Sequence, residues 1–434
     1  MKIFNIYINK KYIKTLLILG WISIWFSLSF NPEKLLLSEN FYLNNLFELI
    51  DFLRGFAQLI YFIFLFIISI IMIRKIKKEY FVFFLLLIFF LIQFFSLILS
   101  ENSLINVYYL ICSFNVILTC FLFKELMTDK EIYFIFKISI FLLMGLVIFF
   151  GSSYIVTSIK SYSSVYGAWG SLENDMVEIP RPTGLSRSAL ITLIYFAIIN
   201  LFKTNKNFSH FLIIVFSSAL ILLLSSRTSI FVFFIFILFY IYYFKSFSEN
   251  NIIDTFKTFF FFPFLIILTL SIIQNSYIKK KDKLRVLDSG NIFRDFQSYK
   301  KHANADFTSG RIDDWKLILN KNKKKIYGNG VLGDRYLIKQ SASNLLIYSY
   351  ASSGLIGVLL IIYISLNIFI QSLKCIIKNK NKNKKIKNYK IISALILIFL
   401  MLRSILETSY GVFSIDFLTF CLCLTMILPR KTYK

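Results

Sequence analysis

Soluble-enzyme chemistry has little to work with in this sequence. It holds two histidines, His210 and His302, and neither has a visible triad partner. No phosphate-cradling Lys-Ser/Thr loop, dinucleotide fingerprint, nucleophile elbow or metal-ligand cluster can be found. The five cysteines (Cys112, Cys120, Cys375, Cys421, Cys423) lie in or at the ends of apolar stretches. They show no zinc-finger spacing with His and no readable disulfide framework. Charge is scarce too, at 17% of 434 residues, with 23 acids against 49 Lys and Arg.

What is present is apolar. Hydrophobic residues make up 57% of the chain and aromatics 18%, with 51 Phe and a mean hydropathy of +0.69. A soluble fold of this size must present a mostly polar surface, which this composition does not supply. Lipid is the solvent that accepts it, so the chain reads as an all-α polytopic membrane protein. The net charge of +26 does not point to nucleic acid, because most Lys lies in short runs between apolar stretches, as cytoplasmic loops require.

A spanning helix needs about 20 apolar residues, and runs of that kind number about twelve. They are 15–31, 55–73, 80–99, 103–123, 132–150, 185–202, 209–225, 228–244, 256–277, 344–373, 391–408 and 411–429. The first has no small-residue cleavage site after it and reads as an uncleaved span. With the N-terminus inside, the segments 1–14, 74–79, 124–131, 203–208, 245–255, 374–390 and the basic tail face the cytoplasm. Segment 1–14 carries four Lys and 374–390 carries eight. Segments 32–54, 100–102, 151–184, 226–227, 278–343 and 409–410 then face outward, and both termini are cytoplasmic. The whole of 1–434 is expected to form a single transmembrane domain.

Two features break this regularity. The outward loop 278–343 carries sixteen Lys/Arg and seven acids, a net +9. Long loops escape the positive-inside rule, and the sign suits an outward site for phosphate or pyrophosphate. The run 209–244 would make one helix of about 54 Å against a lipid core of about 30 Å. It is expected to turn at Ser225–Thr228, which places Arg227 at the outer interface.

Ionisable residues at span ends gather in four groups, all on the outer side. Arg181-Pro-Thr-Gly-Leu-Ser-Arg187 leads into the sixth span, with Gly184 allowing close backbone approach. Arg227 sits in its tight turn. Ser309-Gly-Arg311-Ile-Asp313-Asp314-Trp315 begins a short amphipathic stretch (Trp315, Ile318, Leu319). It leads to a Gly-rich turn, Gly328-Asn-Gly330 to Gly333-Asp334-Arg335, and then to Asn344. Arg403 and Glu407, at i,i+4 near the outer end of the eleventh span, are expected to pair.

In this order and topology, the four groups resemble the O-antigen polymerase and O-antigen ligase superfamily. The resemblance covers about 180–410. Arg181-Pro-Thr-Gly-Leu is similar to that superfamily's Arg-x-Thr-Gly-Leu segment, and Ser226-Arg227 to its Ser-Arg turn between spans. Ser309-Gly-Arg311 with Trp315 and Gly328-Asn-Gly330 is similar to its large-loop pattern. Asn344 with Gly354-Leu-Ile-Gly357, and Glu407-Thr-Ser409, complete the match. Two positions depart from the pattern. Ser343 stands where the ligases have His, and Ser352 stands where an acid is common. The missing His favours the polymerase branch.

The resemblance implies a membrane glycosyltransferase of the bacterial inner membrane. It would transfer a growing glycan from undecaprenyl pyrophosphate onto the next lipid-linked repeat, with no metal or cofactor. Its partners would be the undecaprenyl-pyrophosphate-linked oligosaccharide, the bilayer and a chain-length regulator protein. Arg311 and Arg227 would grip pyrophosphate, which a planar, permanently charged group does bidentately. Arg181, Arg187, Arg335, Arg403, Asn344 and Trp315 would assist. Asp313, Asp314, Asp334 and Glu407 are candidates for the base that takes the sugar hydroxyl proton, with Asp313 and Glu407 favoured. A ligase handing polymer to lipid A-core, and a lipid-linked oligosaccharide flippase, are the alternatives. A flippase would place its ionisable residues mid-membrane rather than at the outer ends.

Overall fold

The computed structural model describes residues 2–3, 6–7, 10–28, 46–72, 80–100, 103–160, 182–202, 208–224, 226–244, 257–269, 311–323, 326–379 and 385–429. Apart from a two-residue antiparallel pairing of Lys2–Ile3 with Ile6–Tyr7, their regular structure is helical. The helices are α1 (Lys10–Ser27), α2 (Leu46–Met72), α3 (Phe81–Ile98), α4 (Val107–Leu126), α5 (Asp129–Lys160), α6 (Pro182–Phe202), α7 (Phe208–Leu223) and α8 (Arg227–Phe244). They continue with α9 (Lys257–Thr269), α10 (Arg311–Lys321), α11 (Gly333–Ile338), α12 (Leu345–Asn379), α13 (Lys385–Ser404) and α14 (Ile415–Ile427). Each of the twelve apolar runs overlaps a helix among the described residues. Five, in α2, α3, α4, α5 and α12, are long and apolar enough to cross a membrane.

The chain divides into two compact units, Met1–Lys137 with Arg311–Lys434, and Ile138–Gly310. In the second unit, α6 packs on α7 and α8. Thr192 and Ser217 share a buried hydroxyl contact of 3.3 Å between α6 and α7. The long apolar run breaks between Leu223 and Arg227, where the turn is expected.

In the first unit, α14 is the innermost element, buried from Asp416 to Ile427. Ser414 caps it by accepting from the Phe417 N–H at 3.3 Å. Small residues and buried amides close the remaining interfaces, as expected where lipid offers no hydrophobic drive for helices to associate. A β-carbon on Gly20 of α1 would lie 2.0 Å from the Tyr61 ring of α2. Asn115 of α4 donates to the backbone carbonyl of Gln58 at 2.9 Å and to its side chain at 3.2 Å.

The two ends of this unit are chemically segregated. At one end Lys14 pairs with Glu131 at 2.6 Å and Lys390 with Asp129 at 3.2 Å. There the buried Lys124 donates to the carbonyls of Thr425 (3.1 Å) and Leu428 (2.6 Å), capping α14. Lys14, Lys124, Asp129, Glu131, Lys390 and the last turn of α14 thus lie at one end of the unit. At the opposite end of α3, Ser100 donates to the Asn329 carbonyl at 3.2 Å, beside the segment that carries the candidate site.

Candidate functional site

The site begins with α10. Asp313 and Asp314 in its first turn and Lys321 in its last suit the helix dipole. The expected apolar stripe shifts, because Leu319 is 44% exposed while Ile318 is fully buried. The inward line is Arg311, Trp315, Ile318 and Asn322, a spacing of four, three and four that keeps one helix face. Trp315 Nε1 donates to the Ala342 carbonyl at 2.7 Å, and Ile318 packs with Ala342, Tyr348 and Ala351.

Asn322 and the Gly-rich turn clasp a break in α12. Gly354 has φ 65° and ψ −159°, which interrupts the helix and frees carbonyls upstream. The Asn329 N–H donates to the Ala351 carbonyl at 2.8 Å, and the Gly330 N–H to the Ser352 carbonyl at 2.9 Å. Asn329 Nδ2 donates to Asn322 Oδ1 at 3.0 Å, while Asn322 Nδ2 donates to the Tyr350 carbonyl at 2.9 Å. A β-carbon on Gly328 would lie 2.1 Å from the Ser352 carbonyl carbon. The glycines of Gly328-Asn-Gly330 and Gly354 therefore serve contact between two backbones.

Against this platform the turn after α13 brings three candidates together. Arg311 Nη1 donates to the Leu406 carbonyl at 3.0 Å, and its Nη2 stands 3.6 Å from Glu407 Oε1. Asn344 Nδ2 donates to the Ile405 carbonyl at 2.7 Å. Its Oδ1 accepts from the N–H groups of Leu346 (2.8 Å) and Ile347 (3.0 Å), capping α12. Two side chains from the segment 311–344 thus satisfy carbonyls that a helix end leaves without partners. Asn344 is committed to the fold at both ends of its amide, so it positions this site.

Other candidates stand elsewhere. Arg403 does not pair with Glu407, because α13 ends at Ser404 and the i,i+4 register is lost. It pairs at 2.9 Å with Asp416, both side chains 1% exposed. Asp416 escaped the sequence reading, although a lone acid in an apolar run is a signal in itself. Asp313 is 75% exposed and paired with Lys316, on a helix face away from Arg311. Asp334 is buried and accepts from the N–H groups of Arg335 (2.9 Å) and Ala342 (2.8 Å). Burial raises its carboxyl above the usual range, against the pull of those donors. Arg335 is exposed. Ser343, at the position of the ligase His, has a left-handed backbone with φ 48°.

Arg187 is half-buried on α6, in the second unit, and Arg227 opens α8 there. The Arg227 side chain, Arg181, His302 and the loop from 278 to 310 lie outside the described residues. What the first unit assembles is a partly exposed guanidinium, a carboxylate beside it and a helix carbonyl end. Such a set can bind an anion and accept a proton. No family model, curated protein or solved structure matches the chain.

Proposed function

We propose that the chain is a surface-polysaccharide polymerase of the bacterial inner membrane, moving the growing glycan from undecaprenyl pyrophosphate onto the next lipid-linked repeat unit. In this reading all twelve apolar helices span the bilayer, both termini are cytoplasmic, and 278–343 is the outward loop. The observation that carries it is the meeting of Arg311 with Glu407 and the Leu406 carbonyl, at the end of the unit opposite the basic loops. A cation and a carboxylate side by side meet the two needs of transfer from a lipid pyrophosphate, leaving-group charge neutralisation and proton removal. Arg181, Arg187 and Arg227 keep the pyrophosphate-binding role that the resemblance implies, and a chain-length regulator would be the protein partner. Ser343 in place of the ligase His speaks against the ligase.

The test is a gel of surface polysaccharide from a deletion strain complemented with wild type or Arg311→Ala. A single-repeat product that regains its ladder with wild type alone is expected. Unmodified core with lipid-linked polymer accumulating would make the protein a ligase. Wild-type ladders in the deletion strain would exclude both activities.

A further inference from the structure

We infer that Arg311 and Glu407 form an exchangeable pair: donor pyrophosphate takes Arg311 from Glu407, and the released carboxylate accepts the proton of the attacking sugar hydroxyl. The inference rests on the polymerase reading above and assigns the order in which its two charged groups act.

The mode of attachment carries it. Arg311 holds the Leu406 carbonyl at hydrogen-bond distance, 3.0 Å. Its other arm is 3.6 Å from Glu407, an ion pair too long for a hydrogen bond. The two side chains keep 29% and 13% of their surface, in contrast to the sealed Arg403–Asp416 pair. A fork-shaped cation with one arm anchored and the other loosely held can turn to a phosphate at small cost. The anchor keeps it at the site while it turns.

Electrostatics then couples the two halves of the reaction. Pyrophosphate at Arg311 places new negative charge beside Glu407 and beside the carbonyl end of α13, already negative in partial charge. Negative charge arriving next to a carboxylate strengthens its hold on a proton. Glu407 therefore becomes an effective base once the donor is seated. Most other charged or titratable groups on the surrounding elements are engaged elsewhere. On α10 Lys316 is held by Asp313, and on α11 Asp334 accepts from backbone N–H groups beside the exposed Arg335. On α12 Tyr348 donates to Gln93 and Tyr350 to the Asn322 carbonyl, while Tyr410 contacts Ser365. Arg403 is bound to Asp416. Asp314 lies on the first turn of α10, half-buried. Among the described residues, Arg311 is the ion-pair partner of Glu407.

In the transfer step the acceptor hydroxyl oxygen bonds to the donor's anomeric carbon as the bond from that carbon to pyrophosphate breaks. The bonding electrons leave with polyprenyl pyrophosphate, whose charge Arg311 meets. The hydroxyl proton passes to Glu407.

The experiment is calorimetric binding of a short-chain polyprenyl pyrophosphoryl monosaccharide to the full chain in detergent. Its doubly esterified phosphates do not titrate near neutral pH, and buffers of different ionisation heat report proton uptake. Wild type and Glu407→Asp are expected to bind the probe without net proton uptake, leaving the carboxylate ionised for the acceptor hydroxyl. Glu407→Gln is expected to bind up to about fivefold tighter, the worth of one solvent-touched ion pair. Its polymerisation is expected to fall by about 10²–10⁴. Proton uptake by wild type that Glu407→Gln abolishes, or unchanged or lost probe binding in Glu407→Gln, overturns the exchange while the polymerase reading stands. Failure of wild type to bind the probe at all overturns both.

Discussion

A β-carbon on Gly354 would lie 2.0 Å from the carbonyl oxygen of Ile326, and Gly354 itself has φ 65°. The break in α12 and the strand of chain that crosses it are therefore one feature. Gly354→Ala combines a left-handed backbone with a backbone clash, a strain of at least about 1–3 kcal/mol. The expected result is a lower unfolding temperature in detergent and early proteolysis between 311 and 344. Gly145→Ala, where a β-carbon meets nothing within 4 Å, is the neutral control. Equal behaviour of the two variants would contradict the clasp.

Asn344 separates a ligand role from a positioning role. Asn344→Asp keeps the oxygen that caps α12 and loses the amide that donates to Ile405. Asn344→Ala loses both, with about 1 kcal/mol from the cap. Polymer ladders are expected to weaken in both variants, while thermal stability falls mainly in Asn344→Ala. A full ladder with Asn344→Asp would show that the Ile405 contact does not matter to the site.

Arg403 and Asp416 form the most enclosed charge pair described, each 1% exposed. Removing one partner strands the other, so Arg403→Met is expected to cost about 3–5 kcal/mol and to reduce the amount of folded protein. The double variant Arg403→Met with Asp416→Leu is expected to recover much of the loss. A fluorescence-detected size-exclusion profile checks this, and additive losses would deny the coupling.

Asp334 makes the segment between α10 and α12 sensitive to pH. Its folded carboxyl is raised above the usual range by burial, so the folded state binds its proton more tightly than the unfolded state does. Its stabilising contribution is fully present below the ordinary carboxylate value of about 4 and is lost as pH rises through the raised value. Hydrogen exchange at the Ala342 N–H, bound to Asp334 at 2.8 Å, is the readout. Opening is expected to become easier toward neutral pH in wild type, with that trend flattened in Asp334→Asn. The same pH trend in both variants would assign it to another group.

The sequence by itself determined the helical class and the apolar runs. Those properties follow from composition and spacing, because a lipid solvent penalises charge and unpaired backbone wherever they fall within a span. It also marked Arg311, Trp315, Asn344 and Glu407 as candidates. Only the tertiary structure decided what each of them holds. Arg403 turned from Glu407 to Asp416 because α13 ended one residue after it, and helix ends depend on what packs beyond them. The Gly-Asn-Gly segment read as a turn after an amphipathic stretch, and the structure shows it serving the carbonyls freed at Gly354. Partner choice among polar groups depends on distances of an ångström or less between segments as far apart in the chain as Arg311 and Leu406. Sequence spacing carries no measure of such distances.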